Sequence, residues 1–409
     1  MKSFIQPRIS MGYGKLPIKI ILSIFILSLF LRLLVIIIYP DMPVSTDIIN
    51  DYDHIATNIL AGNGFVRDIG DPDFSRGPGA PLFLSAIYLI FGKSYIAVRV
   101  IQSILDSITV LITMYLSWLL FKRWDRVYIV GIILAIYPIM IYSSNLVGVE
   151  ALFCFSFMLT ILIFVLAIRK DNAILFCISG IVLAFTTMVR STPLLYPIIM
   201  GIWLGSWGGF TKKCIYYFIL LCCGYIITLA PWTIRNYKVF HEFIPTVANG
   251  GYNFYRGAPV FSSGSLYERN QVEPPEDLQD QIGKSPNEFD AYLWHEGWRN
   301  YKNAWDNSPL DVLKFLLYKA ARFWFATDSG RYQEIIFAMQ IPFLILSILG
   351  LVSIGWNHNF PKELWLMALT IVYFWGIFIV MVPLARYTVP ILPFLSIFVS
   401  GLVQRKIET

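Results

Sequence analysis

Apolar residues fill most of the chain in long runs that are separated by short polar stretches. A helix needs about 20 mostly apolar residues to cross a bilayer. Runs of this length, or a few residues short of it, lie at 18–38, 96–121, 127–143, 148–168, 173–189, 193–208, 214–231, 333–355, 363–381 and 386–403. The pattern therefore predicts an all-α polytopic membrane protein with about ten spans.

Two further apolar stretches fit a membrane span less well. Residues 81–91 cover only about half the length that a span needs. Residues 310–326 carry four charged side chains, namely Asp311, Lys314, Lys319 and Arg322. This mixture of apolar and charged positions is typical of a helix on the membrane surface. We therefore predict that both stretches are juxtamembrane helices.

The distribution of basic residues predicts the orientation, because short basic loops face the cytoplasm. With about ten spans, one side receives the N-terminal tail, 122–126, 169–170, 212–213, Lys362 and 405–406. Both ends of the chain would then be cytoplasmic. The loop 41–80, the turn 144–150 and the loop 232–332 would lie outside the cell membrane.

The same pattern divides the chain into three parts. Residues 1–231 are predicted to form an N-terminal transmembrane catalytic module that includes the loop 41–80. Residues 232–332 would form a small extracytoplasmic region with a juxtamembrane helix, and residues 333–409 the C-terminal transmembrane segments. Within the second part, 261–290 is polar and rich in proline, which predicts irregular structure. Regularly placed aromatic residues in 287–306 predict a helix there.

Composition narrows the functional classes. The chain is 57% hydrophobic and 14% charged, whereas soluble proteins carry roughly 25% charged residues. The net charge of +6 follows from basic loops between spans, so it does not indicate nucleic-acid binding. The five cysteines and four histidines show no metal-ligand or disulfide spacing. We therefore expect no metal site.

The first loop, residues 43–82, is the first polar stretch of the chain and is rich in aspartate. Apolar residues recur in it at Ile48, Tyr52, Ile55 and Ile59. This spacing predicts an amphipathic helix. The polar side of that helix would carry Asp47, Asp51 and His54.

Carboxylates followed by an arginine suit a reaction on an anionic lipid head group. Arg76 follows the predicted helix in a Pro/Gly-rich turn, RGPGAP. A carboxylate such as Asp47 or Asp51 can take the acceptor proton when a sugar leaves its phosphate. Alternatively, both aspartates belong to a helix N-terminus and a solvated polar face, which favour negative charge.

Two carboxylates lie in or beside apolar runs. Glu150 opens such a run just below the outer surface, where a carboxylate is costly unless it faces protein or water. It is a candidate for a second acid on the floor of an active site, or for a structural hydrogen bond to a neighbouring helix. Asp106 lies inside the second span and is predicted to be structural, paired with Arg32 or Arg99.

Six arginines map to the outer half of the membrane or just beyond it. They are Arg32, Arg76, Arg190, Arg235, Arg256 and Arg386. Outer arginines are uncommon, and guanidinium groups are the preferred partners of phosphate oxygens. Each single arginine could instead reach a lipid head group. We predict that two or three of the six share a phosphate site.

These segments together resemble the GT-C class of integral-membrane glycosyltransferases, over residues 30–400. The resemblance is strongest to bacterial proteins of glycosyltransferase family 39, which are similar to dolichyl-phosphate-mannose mannosyltransferases, and to lipid A aminoarabinose transferases. It is carried by the order of DYDHIATNILAGNGF (51–65), RGPGAPLFLSAIYLIFG (76–92), IYPIMIYSSNLVGVEALFCF (136–155) and ARYTVPILPFLSIF (385–398).

The resemblance implies a GT-C-like helical bundle with an extracytoplasmic active site. It implies a polyprenyl-phosphate sugar as donor and a lipid, glycan or protein as acceptor. It implies no nucleotide and no other cofactor, in agreement with the lack of a glycine-rich nucleotide loop in the sequence.

The resemblance also implies roles for individual residues. Asp47 or Asp51 would be the catalytic base, and Glu150 the second acid of the cavity. The donor phosphate would bind to Arg76, with Arg190, Arg256 and Arg386 as further candidates. Asp47 ranks first as the base because it lies where the loop enters its helix. It stands five residues before Tyr52, whereas the family aspartate commonly stands four before the tyrosine.

Two other functions compete with this interpretation. A transporter or flippase of lipid-linked saccharides should carry ionisable residues along a path through the middle of the membrane. Here these residues concentrate on the outer side. A lipid-linked glycan ligase or polymerase would be a related enzyme with a different loop arrangement.

Overall fold

Nearly all of the described chain is helical. The computed structural model describes residues 17–42, 44–45, 48–209, 211–259, 285–355 and 360–403. The first nine α-helices are α1 Ile18–Ile38, α2 Asp53–Leu60, α3 Gly79–Phe91, α4 Tyr95–Phe121, α5 Trp124–Ile136, α6 Pro138–Asn145, α7 Glu150–Lys170, α8 Ala173–Val189 and α9 Tyr196–Gly208. The others are α10 Lys212–Phe240, α11 Gly250–Gly257, α12 Pro286–Asn307, α13 Pro309–Arg322, α14 Gln333–Gly355, α15 Glu363–Val380 and α16 Leu392–Val399.

Short elements complete the described chain. A π-helical turn covers Ile48–Tyr52, and 3₁₀ turns cover Thr192–Leu195, Ala385–Ile391 and Ser400–Leu402. The two strands, β1 Val66–Asp68 and β2 Asp71–Pro72, form an antiparallel hairpin in the first loop.

Within the described ranges, seven helical stretches are long and apolar enough to cross a membrane. They are α1, α4, α7, α10, α14, α15 and Ala385–Leu402. Helices α5 and α6 make an eighth span if taken together, with a bend of 50° where Pro138 begins α6. Helices α8 and α9 are apolar but shorter than the roughly 20 residues of a straight span. Helices occupy all ten predicted runs, which confirms the all-α polytopic architecture, although seven or eight of them satisfy the length of a span.

The two stretches predicted as juxtamembrane helices are α3 and α13. Helix α3 has 13 residues, which is too short for a span. Helix α13 is amphipathic, because it buries Val312 and Phe315 while it exposes leucines on another side. The helix predicted at 287–306 is α12. Its first turn begins with Ser285, whose hydroxyl accepts a hydrogen bond from the Glu288 backbone N–H.

Helix α10 runs further than the sequence predicted. The span was expected to end at Pro231, but the helix continues to Phe240. A proline removes one helical hydrogen bond, which membrane helices tolerate. The segment is therefore helix instead of the start of a loop, and the predicted boundary after 231 falls inside it. Arg235 on this extension donates to the backbone oxygens of Phe65 and Asp73, so it holds the first loop.

Glycines allow α8 and α10 to pack in backbone contact. A Cβ atom at Gly180 would lie 2.0 Å from the Leu221 carbonyl oxygen, and one at Gly224 would lie 2.3 Å from the Cys177 carbonyl oxygen. Small residues at such crossings let membrane helices approach closely. The contact fixes the position of the C-terminal end of α8, which leads to Arg190.

Asp106 is paired with Arg32, which confirms one of its two predicted partners. Arg32 Nε donates to Asp106 Oδ2 at 2.6 Å, and both side chains are buried. The same guanidinium donates to Ser28 and to backbone oxygens of α5. Arg99 has a different role, because it donates to the backbone oxygens of Tyr39 and Pro40 after α1.

The helix predicted in the first loop is present as the π-helical turn Ile48–Tyr52 followed by α2. Its apolar side is buried, with Ile48 at 1% and Ile55 at 0% exposure. The hairpin that follows was not predicted. Its turn contains Gly70 at φ 89°, a backbone conformation that glycine adopts readily.

Candidate active site

One large cavity brings together residues from distant parts of the chain. It has a volume of ≈ 1390 Å³. It lies between the first loop, the start of α7, the segment after α8, α11 with α12, and the segment from α15 to Tyr387. Its polar and aromatic lining includes Asp51, His54, Arg67, Asp73, Arg76, Glu150, Arg190, Tyr252, Asn253, Arg256, Trp294, Tyr373, Arg386 and Tyr387.

The structure collects most of the predicted site residues in this cavity. The lining contains Asp51, Arg76, Glu150, Arg190, Arg256 and Arg386. Asp47, which ranks first as the base, lies outside the described residues. The described chain just before it is held by a hydrogen bond from Ser45 N to the Val147 carbonyl oxygen at 3.2 Å. The start of the first loop is therefore attached to the segment that leads into Glu150.

The Asp51 carboxylate binds two guanidinium groups. Its Oδ1 accepts a hydrogen bond from Arg67 Nη1 at 3.1 Å. Its Oδ2 accepts from Arg76 Nη2 at 2.6 Å and from Arg76 Nε at 3.1 Å. The Asp51 side chain is only 10% exposed, so water competes little with these charge-assisted bonds. Asp51 thus orients two arginines, and these three hydrogen bonds occupy most of the about four acceptor positions of its carboxylate.

Asp73 fixes the turn that carries Arg76. Its carboxylate accepts hydrogen bonds from the backbone N–H groups of Ser75 at 2.9 Å and of Arg76 at 2.8 Å. Burial raises the pKa of the Asp73 carboxyl, and the hydrogen bond from the Arg76 backbone opposes this shift. The sequence pattern therefore builds a rigid turn with an arginine at its tip.

Two glycines bring this turn against the end of α8. A Cβ atom at Gly77 would lie 2.3 Å from the Met188 carbonyl oxygen, and one at Gly79 would lie 2.7 Å from Val189 N. No larger residue fits at either position without a shift of the backbone. The close contact places the turn next to the residues that immediately precede Arg190.

Glu150 presents a lightly paired carboxylate to the cavity. It is the first residue of α7 and is 6% exposed. Its Oε1 lies 3.7 Å from Arg190 Nη1, and no side chain or backbone group in the described ranges donates a hydrogen bond to it. A Cβ atom at Gly148 would lie 2.6 Å from Glu150 Oε2, so the glycine leaves room for the carboxylate. The helix N-terminus favours its negative charge.

Tyr387 contacts two of the cavity arginines. The Cζ atom of Arg190 lies 4.2 Å from the centre of the Tyr387 ring, and that of Arg386 lies 5.2 Å from it. Arg386 Nη2 also donates to the Tyr387 hydroxyl at 3.3 Å. Phe378 stacks on the ring at 4.1 Å. An aromatic ring attracts a cation without cancelling its charge, so two positive groups meet at one side of the cavity.

Aromatic packing fixes the wall formed by α11 and α12. Phe254 is 1% exposed and stacks on Trp294, with ring centres 4.5 Å apart. Arg256, near the end of α11, has its Cζ atom 5.3 Å from the centre of the Tyr252 ring. The packing directs Tyr252, Trp294 and Arg256 to the cavity.

Asp53 and His54 differ from Asp51, although they follow it closely in sequence. The buried Asp53 carboxylate accepts a hydrogen bond from the Tyr88 hydroxyl at 2.7 Å and pairs with Lys93. It therefore connects α2 to α3 and is not part of the cavity lining. His54 is exposed and lines the cavity, on the side predicted for it.

The described ranges hold no group of three His, Cys, Asp or Glu side chains that could bind a metal ion. Asp47 is not among the residues that were searched. The expectation of no metal site therefore stays a prediction.

Arg67 and Tyr387 are among the lining residues that were not predicted from the sequence. Arg67 lies in β1, and without a predicted hairpin nothing indicated that it approaches Asp51. Tyr387 directly follows Arg386, and an aromatic residue beside an outer arginine is the signal that could have identified it.

Sequence comparison identifies a family relationship for part of the chain. Residues 75–233 match the model of the dolichyl-phosphate-mannose-protein mannosyltransferase family. The matched stretch includes Arg76, Glu150 and Arg190, and it is less than half of the chain. None of the curated proteins matches the chain in sequence.

Two solved structures share the fold. One is the archaeal oligosaccharyltransferase AglB from Archaeoglobus fulgidus in complex with an inhibitory peptide and a dolichol-phosphate, with a TM-score of 0.55 and 13% identity over 94% of this chain and 49% of that chain. The other is the Archaeoglobus fulgidus oligosaccharyltransferase tethered with an acceptor peptide, with a TM-score of 0.54 and 15% identity over 93% of this chain and 49% of that chain.

The chain thus spans about half the length of these oligosaccharyltransferases. At such low identity, the likeness shows a shared fold and not a shared activity. It confirms the resemblance that the sequence indicated. In fold over most of its length, and in sequence over residues 75–233, this chain is similar to the GT-C integral-membrane glycosyltransferases.

Proposed function

We propose that the protein is a glycosyltransferase that moves a sugar from a polyprenyl-phosphate donor to an acceptor outside the cytoplasm. The observation that carries the proposal is the meeting of carboxylates and arginines from separate segments in one cavity. Carboxylates can take the acceptor proton, and guanidinium groups can bind the donor phosphate. The AglB complex contains a dolichol-phosphate, which is a polyprenyl-type lipid phosphate and supports this donor class.

The contacts favour Arg190 and Arg386 as the main ligands of the donor phosphate. Both contact the Tyr387 ring, which attracts a cation without cancelling its charge. Their ion pairs are long, at 3.7 Å from Arg190 Nη1 to Glu150 Oε1 and 3.6 Å from Arg386 Nε to Asp328 Oδ2. Arg256 lines the same cavity and is a further candidate. Arg76 shares its guanidinium with Asp51, so a phosphate would have to compete with that carboxylate. Arg76 therefore ranks below Arg190 and Arg386 here.

The contacts also indicate which of the two described carboxylates, Asp51 or Glu150, is the better candidate for the catalytic base. Asp51 is bound to two guanidinium groups, whereas Glu150 accepts no hydrogen bond from the described residues. A base needs a free lone pair within reach of the acceptor proton. Glu150 is therefore the stronger of these two candidates. Asp47 remains a candidate on the sequence pattern.

The proposed step is a single displacement. The base takes the proton of the acceptor hydroxyl while that oxygen bonds to the anomeric carbon of the sugar. The bond between this carbon and the phosphate oxygen breaks, and its electron pair leaves with the polyprenyl phosphate. Negative charge grows on the phosphate as the bond breaks, so the guanidinium groups bind the transition state more tightly than the donor.

The location of the cavity favours transfer over transport. The lining comes from the first loop, the turn before α7, the region after α8, α11 with α12, and the α15–Tyr387 segment. Most of these segments were predicted to be extracytoplasmic or at the outer surface. The α15 part of the lining belongs to the outer half of the predicted span 363–381. A flippase would require polar residues that continue towards the other side of the membrane.

The test uses a deletion strain that is complemented with wild-type or variant protein at matched expression. Mass spectrometry of surface glycans should show one glycan component that the deletion removes and wild-type protein restores. Glu150→Gln should not restore it, because a lost general base costs about 10²–10⁴-fold in rate. Purified protein in proteoliposomes should release polyprenyl phosphate from a polyprenyl-phosphate sugar when the acceptor is present.

Two results would contradict the proposal. One is full complementation by a protein with Asp47→Asn, Asp51→Asn and Glu150→Gln together. The other is movement of the lipid-linked sugar across proteoliposome membranes without any transfer, which would establish the flippase alternative.

A further inference from the structure

Lys319 is buried between three helices. It lies on α13 and is 3% exposed. Its Nζ donates hydrogen bonds to the Gly257 carbonyl oxygen at 2.6 Å and to the Val380 carbonyl oxygen at 3.0 Å. No carboxylate of the described chain forms an ion pair with it. Besides these two oxygens, Lys319 Nζ lies 5.4 Å from the centre of the Phe315 ring. A buried lysine whose hydrogen bonds go to backbone oxygens is uncommon and calls for a specific reason.

The two acceptors are both helix ends. Gly257 is the last residue of α11, and Val380 is the last residue of α15. The final carbonyl groups of a helix lack partners within the helix and carry its negative dipole end. One amino group therefore satisfies two helix C-termini. A neutral amine has two N–H bonds and an ammonium group has three, so both protonation states can make the two contacts.

Both helix ends lead directly into the cavity wall. Arg256 immediately precedes Gly257, and Met381 immediately follows Val380. Arg256 and Met381 both line the cavity. The two backbones touch, because a Cβ atom at residue 257 would lie 2.2 Å from the Met381 carbonyl oxygen. Lys319 thus joins the segment that carries Arg256 to the segment that leads to Arg386.

Further contacts tie α13 and its extension to the same segment. Trp375 Nε1 donates to the Ala320 carbonyl oxygen at 2.9 Å. Ala385 N donates to the Ala326 carbonyl oxygen at 2.7 Å. These bonds keep Lys319 in register with α15 and with the turn before Arg386.

We propose that Lys319 is a positioning residue for the donor phosphate, which it never touches. It holds Arg256 and the 381–386 segment at a fixed separation through two backbone oxygens. The inference rests on the proposed function, since the donor phosphate is the anion that these arginines would bind. Loss of the lysine should weaken binding of the donor phosphate. It should leave the Glu150 carboxylate, the candidate base, unchanged.

The experiment compares Lys319→Met with Lys319→Gln and with Lys314→Met. Methionine fills a similar volume but donates no hydrogen bond, and glutamine can donate to at least one of the two oxygens. Lys314 lies on the same helix and pairs with Asp311 at its exposed surface, so its variant is the matched control. Farnesyl phosphate serves as a short polyprenyl-phosphate probe whose binding is measured without turnover.

We expect Lys319→Met to weaken farnesyl phosphate binding and to raise the donor KM, each by about tenfold, which corresponds to the loss of one or two hydrogen bonds. The kcat should change by less than about threefold, because the chemical step is not affected. Lys319→Gln should lie between Lys319→Met and wild type, and Lys314→Met should match wild type.

Several outcomes would overturn the inference. Equal probe binding by wild type and Lys319→Met would show that the lysine does not position the site. A parallel loss of kcat, affinity and thermal stability in Lys319→Met, or failure of both Lys319 variants to fold, would show a purely structural role. If wild type itself does not bind farnesyl phosphate, the proposed donor class is wrong and the inference falls with it.

Discussion

Arg190 lies between Tyr387 and Glu150, with its Cζ atom 4.2 Å from the centre of the Tyr387 ring and its Nη1 3.7 Å from Glu150 Oε1. The distance to Glu150 is longer than a hydrogen bond, whereas the distance to the ring is well within the roughly 6 Å range of a cation–π contact. Arg190 is therefore held in place while the carboxylate and the guanidinium both remain able to bind other groups. A phosphate and an acceptor proton are the partners that the proposed reaction would bring.

Variants of Tyr387 should distinguish the effect of its ring, which contacts Arg190, from the effect of its hydroxyl, which contacts Arg386. Tyr387→Phe keeps the ring under Arg190 and removes the hydroxyl that Arg386 contacts, so we expect only about a two- to fivefold weaker binding of farnesyl phosphate. Tyr387→Leu removes both contacts and should weaken binding by about tenfold or more. Titration of purified protein with the probe measures both. Equal affinity of Tyr387→Leu and wild type would show that the ring does not hold the arginines for an anion.

Glu150 and Asp51 should respond differently to loss of charge. Glu150→Gln should lower kcat by about 10²–10⁴-fold with little change in probe affinity, because the base is lost and the phosphate site stays. Asp51→Asn should change both parameters, since Arg67 and Arg76 lose their shared partner. Turnover and probe binding in proteoliposomes test this. Normal kcat in Glu150→Gln, with collapse in Asp47→Asn, would assign the base to the first loop.

Arg76 should contribute to activity in two ways, by its contact with Asp51 and by binding the donor phosphate. Arg76→Lys keeps the charge but loses the two-pronged contact with Asp51, so we expect partial loss of activity and a larger loss in Arg76→Ala. A charge-assisted hydrogen bond contributes roughly 1.5–3 kcal/mol. If the Arg76–Asp51 pair acts as a unit, the double variant Arg76→Ala/Asp51→Asn should be no worse than the worse single variant. Strictly additive losses would contradict that coupling.

Lys319 should make thermal stability depend on pH. Burial lowers the pKa of Lys319 to about 7, whereas an unfolded lysine titrates near 10.4. Between these values the unfolded chain binds the proton and the folded protein does not, so stability should rise as the pH is raised from 7 to 10. Unfolding midpoints in detergent at pH 7 and pH 9 should therefore increase more for wild type than for Lys319→Met. An equal increase in the two proteins would show that Lys319 does not titrate in this range.

The orientation can be tested by labelling cysteines in intact cells, in a background without native cysteines. Cysteine at position 71 or 307 should react with an impermeant reagent, whereas cysteine at position 125 should react only after permeabilisation. Asp125 is 46% exposed at its side chain, so burial would not explain a lack of reaction. Labelling at 125 in sealed cells would invert the orientation and place the cavity in the cytoplasm.

Periodic features of the chain were predictable from the sequence. Runs of apolar residues predicted every described helix that is long and apolar enough to span a membrane. The spacing of Ile48, Tyr52 and Ile55 predicted the helix of the first loop. The extension of α10 beyond Pro231 was missed, because a proline next to polar residues usually ends a helix in the sequence pattern. In the structure, tertiary contacts of Arg235 stabilise that extension.

The sequence predicted which residues line the site better than it predicted which of these residues contact each other. The sequence identified Asp51, Arg76 and Glu150, but it gave no distances between residues far apart in the chain. Arg67 approaches Asp51 only because a hairpin forms, and Tyr387 meets Arg190 only because α8 and α15 end at the same cavity. Such contacts depend on tertiary packing, which has no local periodicity in the sequence.

The ion pair between Arg32 and Asp106 has a consequence for biogenesis. The two residues lie on α1 and α4, so the arginine leaves the ribosome well before its partner. A lone charge at the centre of an inserting helix is unfavourable by about 2.5–3.5 kcal/mol on insertion scales, which is the upper limit for Arg32 in the predicted outer half of α1. We therefore expect α1 to stay at the translocon until α4 arrives and the two helices to enter the lipid together. Substitution of Asp106 alone would then reduce the yield of inserted protein before it affects any assay of the mature protein.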